Sequence, residues 1–493
     1  MDKIELAVSE YQDKVHGAWL GKNIGGTLGA PYEGKKFVNS LEYYAPVPQG
    51  ASPNDDLDFQ LVWLQMLEEK GVTPTLADFA EYWMRHLAAY PWNEYGFCLR
   101  NLERGLRPPI SGSFENYYVD EMGSPIRSEI WACVAPGDPQ LAASMAWKDA
   151  VLDHAGGEGT YGEMFWAAVE SAAFVLNDPE KLIQIGLRMI PPGSAIARAI
   201  REARWCRENA ISWAEARERV VTWFGHHSPC SAPQNHAFIM LGWLYGKDFG
   251  DCLCRAVNCG YDTDCTGATL GALLGIIGGA ASIPEKWKSP IGEEIILHKF
   301  TQGIEAPRTV GELTQRTFAI AQKCVDEKSD SVRFAEKTRL PKNLLSLLFR
   351  NEKAEAVLQQ DVLAAVAQDG DLEITLHYHG EPVLQPGIRR TIGVSLQKNR
   401  ESVQAEVKLN VPQDWQVTEV ADMFGQQRFT ISAAKVSGRN DIGVEVALPE
   451  GPRHANFVIL GLDEAQGFPG GGKVPRCPKC RARVEACICQ SRD

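Results

Sequence analysis

The sequence predicts an all-α main domain over residues 1–325, a linker over 326–365, a small C-terminal antiparallel β-sandwich over 366–465, and a short Cys-rich tail over 470–493. Three observations predict this order. Apolar residues recur at helical spacing up to about residue 325. Short runs alternating with period two begin near residue 371. Four thiols then crowd the last stretch.

The helical part is legible in LADFAEYWMRHLAAY (76–90), QLAASMAWKDAVLDHA (140–155), GEMFWAAVESAAFVL (162–176) and FGDCLCRAVNCG (249–260). Each keeps one apolar stripe, as a packed helix needs. PPGS at 191–194 and SPCSAP at 228–233 punctuate them. No alternating strand stands out before residue 365. The β part is legible in DLEITLHYH (371–379), RTIGVSLQK (390–398), SVQAEVKLNV (402–411), IGVEVAL (442–448) and HANFVIL (454–460). Short strands between Pro, Gly and Asp turns suggest a sandwich, and it shows no catalytic cluster. After FPGGGK, Cys477, Cys480, Cys487 and Cys489 form a possible zinc knuckle, four thiolates being enough for a tetrahedral Zn²⁺ site.

Bulk composition excludes some functions. A length of 493 residues implies two or more domains, and 44% hydrophobic residues suffice for packed cores. A formal charge of −13 argues against a nucleic-acid partner, which calls for a basic face. It leaves a small anionic substrate open, because a local site can oppose the global charge. No run of about 18 apolar residues suggests a membrane span. The polar start, MDKIELAVSEYQDK, points to a cytoplasmic protein. The 13 cysteines cluster rather than spread as a disulfide framework. Cys252, Cys254 and Cys259 read as core packing, as do Trp131, Trp147 and Trp166. Oligomeric state is not legible.

Three segments carry unusual chemistry. In GAWLGKNIGGTLGAPYEG (17–34), Gly17, Gly21, Gly25 and Gly29 bare one helix face, and Glu33 follows the helix end. Glycine inside a helix costs about 0.5–1 kcal/mol relative to Ala, so close helix–helix approach must offset it. In SPNDDLDFQLVWLQMLEE (52–69), Asn54, Asp55 and Asp56 precede an apolar stripe. In GYDTDCTGATLGALLG (260–275), Asp262, Asp264 and Thr266 open another. A helix cap explains one acid at each start. Two acids at both starts suggest that the helix ends converge on a cation, since like charges that close cannot all stay ionised. Carboxylate, amide and hydroxyl oxygens favour Mg²⁺, Mn²⁺ or Ca²⁺ over zinc, and this many ligands would serve two ions.

In that order, GAPYEG, NDDLDFQLVWL and GYDTDCTGATLGALLG resemble the ADP-ribosylglycohydrolase family. Its pattern is a Gly-rich first helix ending in Glu, a Thr-Asp-Asp motif, and a late Asp-x-Asp-Thr motif. IRSEIWACVAPGDPQLAASMAWKDAVLDHAGGEGTYGEMFWAAV (126–169) is similar to the bacterial, dinitrogenase-reductase-activating branch, and the resemblance spans about residues 10–285. It implies an all-α fold, a dinuclear Mg²⁺ or Mn²⁺ centre, and hydrolysis of the N- or O-glycosidic bond from ADP-ribose to a protein side chain or small acceptor. It implies metal ligation by Asp55, Asp56, Asp262 and Asp264; the side-chain oxygens of Asn54 and Thr266, which stand off the pattern, are added as ligands on their own chemistry. It implies catalytic roles for Glu33, Asp55 and Asp264, and a substrate loop at His154, Gly157, Tyr161 and Gly162. The chain departs from the pattern where Asn54 replaces Thr or Ser and Cys265 replaces Thr, a thiol being a poor partner for Mg²⁺. Two rival functions share the fold: a nucleoside or ribosyl-metabolite hydrolase, and a catalytically inactive binding protein.

Overall fold

The computed structural model describes residues 3–462, apart from 91, 399–400 and 424. The Cys477–Cys489 knuckle lies outside the described residues. The chain divides into two compact units. The first comprises residues 1–73, 120–150 and 157–359; the second comprises 74–119, 151–156 and 360 onward. The division crosses the boundary read from sequence, because residues 74–119 cluster with the β strands.

The first unit is helical and built on one seam. The Val8–Gly29 and Thr263–Gly278 helices run antiparallel with their backbones touching. A Cβ on Gly17, Gly21, Gly25 or Gly29 would stand 2.4, 2.0, 1.8 or 2.1 Å from the carbonyl oxygens of Gly275, Gly271, Gly267 and Thr263 respectively. No side chain fits at such distances. Glycine at every fourth position on both helices is what lets them meet, and the buried aliphatic residues flanking the seam supply the packing that offsets the glycine cost. Trp131, Trp147 and Trp166 are all buried, as are Cys252, Cys254 and Cys259. The helical unit also holds a parallel strand pair, Ile4–Ala7 with Val332–Ala335. Each strand has four residues, too few for period two to register. The stretch read as linker therefore carries a strand, and the Leu344–Leu348 and Glu352–Leu358 helices besides. Among the described residues no helix is long and apolar enough to cross a membrane.

The second unit contains two antiparallel sheets. One runs in the order Ala364–Asp369, Leu372–His377, Arg390–Lys398, Gln426–Ala433, Trp415–Met423, with Glu401–Ser402 beside Arg390–Lys398. The other runs Gly451–Leu460, Arg439–Leu448, Glu406–Asn410. Inward residues such as Ile374, Ile392, Val394, Ile442, Val444 and Phe457 form its core. Leu106, Ile110 and Phe114, from the helical sequence upstream, belong to the same core.

Candidate metal centre

The glycine seam decides where the acids sit. It ends with the C-terminus of one helix beside the N-terminus of the other, so Glu33 arrives where the Thr263–Gly278 helix begins. The loop after the first and the turn before the second are stitched together. Gly34 N–H donates to Tyr261 O at 2.8 Å, and Tyr261 N–H donates to Lys35 O at 2.7 Å. Gly260 and Tyr261 both have positive φ, +77° and +70°. For a tyrosine that conformation costs about 1–3 kcal/mol and persists only where surroundings enforce it. It turns the chain so that Asp262 enters the cluster. Although Asp262 stands at the N-cap, its side chain makes no capping hydrogen bond.

The Asp55–Lys70 helix brings the second pair. Its cap is Asn54, whose Oδ1 accepts the Asp56 N–H at 2.9 Å. The cap therefore occupies Asn54 Oδ1, an oxygen the sequence reading assigns to a cation. Its amide nitrogen lies against Gly26, where a Cβ would come within 2.2 Å. Asp55 and Asp56 are therefore spare for other work.

Two groups of side-chain donors result. Glu33, Cys230 and Asp262 form one, and Asp56, Asp264 and Cys265 the other, the donor atoms of each lying within 4.8 Å of one another. Asp55 is close enough to push on both Asp56 and Asp264. Burial raises the Asp56 carboxyl well above the usual range, opposed by the Lys22 charge and reinforced by Asp55 and Asp262. Burial, then Glu33 and the other three aspartates, raise Asp264 well above it too. Asp262 is raised by burial and eased by hydrogen bonds from Cys265, Asp264 and Cys230. Both oxygens of Asp56, Oδ2 of Asp262 and Oδ1 of Asp264 are buried without a hydrogen-bond partner. Nearly all buried polar atoms find partners. Orphaned carboxylate oxygens pointing into one cluster fit a cation that would hold them.

Thr266 is not in either group: its hydroxyl donates back to Thr263 O at 3.2 Å. Cys265, one residue earlier, reaches the cluster instead. Gly157 caps the Glu158–Ala173 helix, and Gly162 on that helix leaves room for the His236 ring. Tyr161, half-buried nearby, has its hydroxyl pKa raised by burial and by the charges of Glu158 and Asp120. His154 belongs to the second unit and is fully buried there, Nδ1 being 3.0 Å from Asp153 Oδ1 and Nε2 3.8 Å from Glu94 Oε1.

Sequence reasoning missed several neighbours. Cys230 sits in a Pro- and Ser-rich loop with no motif. Asn235 holds that loop, its Nδ2 donating to Pro229 O at 2.8 Å and Ser231 O at 2.9 Å. His298 comes near Asp55 because Asp58, one turn along, accepts from the His298 N–H and the Thr301 hydroxyl, both at 2.7 Å. Lys22 is fully buried and donates to Glu129 Oε1 at 2.8 Å and Ile126 O at 3.0 Å. Burial penalises its ammonium, yet Glu129 and Asp56 overcome this and raise its pKa. Gln60 completes the layer, donating to Glu129 Oε2 at 2.8 Å.

A helical unit with paired aspartates from two helix starts defines the class: a protein built around a buried acidic centre whose donors could hold a cation. The ADP-ribosylglycohydrolase model, from the family of that name, matches residues 7–324, and the chain belongs to this family. An uncharacterized protein of Archaeoglobus fulgidus is 27% identical over 293 residues, covering 56% of this chain and 90% of that one. A solved chain from an ADP-ribosylglycohydrolase-related protein complex shares 21% identity with a TM-score of 0.43, covering 65% of this chain and all of that one. That likeness is too loose to argue from. Family membership supports a glycosyl hydrolase.

Proposed function

We propose that the protein is a metal-dependent glycohydrolase that cleaves the N- or O-glycosidic bond of an ADP-ribosyl or closely related ribosyl substrate. One observation carries the reading: four aspartates and Glu33 converge, and several of their buried oxygens lack any partner. Asp55, Asp56, Asp262 and Asp264 would hold divalent cations. Such cations, when bound, supply Lewis-acid charge for substrate hydroxyls and lower the pKa of a bound water.

The chain's own residues have separable duties. Glu33 is exposed at the rim, so it can take a proton from water or give one to the leaving group. With cations bound, the aspartates would be held as carboxylates facing an oxocarbenium-like transition state, the usual carboxylate contribution to glycoside hydrolysis. Lys22 and Glu129 sit behind Asp56 and fix its electrostatics without reaching the rim.

The test is release of ADP-ribose from ADP-ribosyl-arginine and ADP-ribosyl-serine peptides, with plain ribosides in parallel and Mg²⁺ or Mn²⁺ supplied. Turnover of the ADP-ribosyl peptides that disappears in Glu33→Gln supports the proposal. Turnover of ribosides alone moves the substrate to a smaller metabolite. No turnover of any, with cations bound, would leave a binding protein of this fold.

A further inference from the structure

Each donor group in the acidic centre contains one sulfur: Cys230 lies with Glu33 and Asp262, and Cys265 with Asp56 and Asp264. We propose that Cys230 and Cys265 are metal ligands and that the centre selects a thiophilic divalent ion, of the Zn²⁺, Fe²⁺ or Co²⁺ class, over a pair of Mg²⁺ ions. This rests on the reading of the acids as a metal centre and goes beyond it in naming the ion class and two further ligands.

The donor chemistry leads there. Mg²⁺ demands oxygen ligands in near-octahedral order and keeps much of its water. Thiolates draw softer and borderline ions, and affinity for a mixed site climbs along the first-row series from Mn²⁺ to Cu²⁺ before falling back at Zn²⁺. Metal–sulfur and metal–oxygen bonds of about 2.3 and 2.0–2.2 Å suit donors spaced as these are. A cluster whose atoms lie within 4.8 Å needs little movement to close on one ion. Asp56 is fully buried with both oxygens unpartnered, so the pull toward a cation does not depend on the sulfurs alone.

The fold also treats these two thiols differently from the rest. Of the nine cysteines described, seven are buried, and the two that are not are Cys230 and Cys265. Among the described residues no other cysteine joins a group of metal-ligating side chains. Cys265 takes the place that a hydroxyl would fill, while Thr266 turns its own hydroxyl back to Thr263 O. Cys230 is held in a loop pinned by Gln234 and Asn235, Gln234 Nε2 donating to Ser228 O at 3.1 Å and Pro229 O at 3.0 Å. Both thiols converge on Asp262 from different elements. Two sulfurs from separate elements beside one carboxylate make a built donor set rather than a stray packing thiol.

Cobalt reports sulfur directly, through a near-ultraviolet thiolate-to-metal charge-transfer band. The protein would be the full chain with Cys477, Cys480, Cys487 and Cys489 changed to Ser, so that tail thiols do not contribute, and stripped of metal before titration with Co²⁺. The expected result is a saturable charge-transfer band that is lost in Cys230→Ser/Cys265→Thr, which still binds Co²⁺ and Mn²⁺ through its carboxylates. The same pair should weaken Zn²⁺ by roughly tenfold or more while Mn²⁺ affinity changes little. Cys230→Ala/Cys265→Ser serves as a second pair should the first fold poorly, circular dichroism being the check. Co²⁺ binding without the band, or a band that survives both pairs, would overturn the inference and leave the hydrolase reading standing. Failure of every divalent ion to bind the parent protein would overturn both.

Discussion

Gly25→Ala adds a single methyl at the tightest point of the seam. The new Cβ would stand 1.8 Å from Gly267 O and 2.2 Å from its carbonyl carbon. Because the obstacle is backbone, no rotamer change relieves it, and the two helices must part by about 1.5 Å to restore contact near 3.4 Å. Overpacking of this kind costs about 1–3 kcal/mol, occasionally more. Replacing a helical glycine returns about 0.5–1 kcal/mol. The reciprocal clash, Gly267 against Gly25 O at 2.4 Å, places the cost at the upper end. We expect a net loss of about 2–3 kcal/mol. Gly193→Ala is the control: nothing lies within 4 Å of a Cβ there, so it should gain about 0.4–1 kcal/mol through the unfolded chain. Urea unfolding followed by tryptophan fluorescence reads both. The seam also sets Glu33 against Asp264, and a misplacement near 1 Å costs about a hundredfold in turnover. Gly25→Ala should therefore lose activity out of proportion to its stability. A Gly25→Ala midpoint equal to the Gly193→Ala midpoint would refute backbone contact along the seam.

Asp264→Asn should bind less metal by elemental analysis and lose turnover while its circular dichroism stays that of the parent; unchanged turnover would remove Asp264 from the site. Lys22→Met should cost about 3–5 kcal/mol, because it strands Glu129 and Asp56 without their buried cation, and Glu129→Gln in the same chain should restore part of the loss in a urea titration. Burial lowers the His236 pKa to about 4, so folding favours the neutral ring. Its contribution is complete above the unfolded value near 6.5 and drains away as pH falls toward about 4, about 2 kcal/mol by pH 5. The wild-type urea midpoint should fall over that window more steeply than that of His236→Gln, and parallel pH profiles would count against it.

The site was legible where chemistry and period coincided. Glycines four apart at 17–29, and again at 267, 271 and 275, announce a bare face, and paired acids at two helix starts exceed what caps need. Family resemblance then tied those starts together. What stayed hidden depended on long-range placement. Cys230 has no motif because its role comes from Asn235 and Gln234 pinning the loop. His298 reaches Asp55 only through Asp58, a residue that reads as ordinary helix polarity. The β region showed the same limit. Arg439–Leu448 alternates clearly, while Gly451–Leu460 runs fully buried over its last four residues and the largely exposed Trp415–Met423 strand does not alternate. Apolar periodicity reports that a face is buried and not what buries it, which is why helices around residues 76–113 gave no hint of their β partners.

The three-segment make-up of the second unit sets a timetable for biosynthesis. Leu106, Ile110 and Phe114 leave the ribosome early, but the strands that cover them begin only at Ala364. At about 5–20 residues per second the wait is roughly 12–50 s. During it, apolar side chains destined for a common interior have no cover, the situation in which chaperones hold a nascent chain. A message cut near residue 325 never delivers the missing strands, so that product should aggregate or demand a chaperone however well its catalytic helices form.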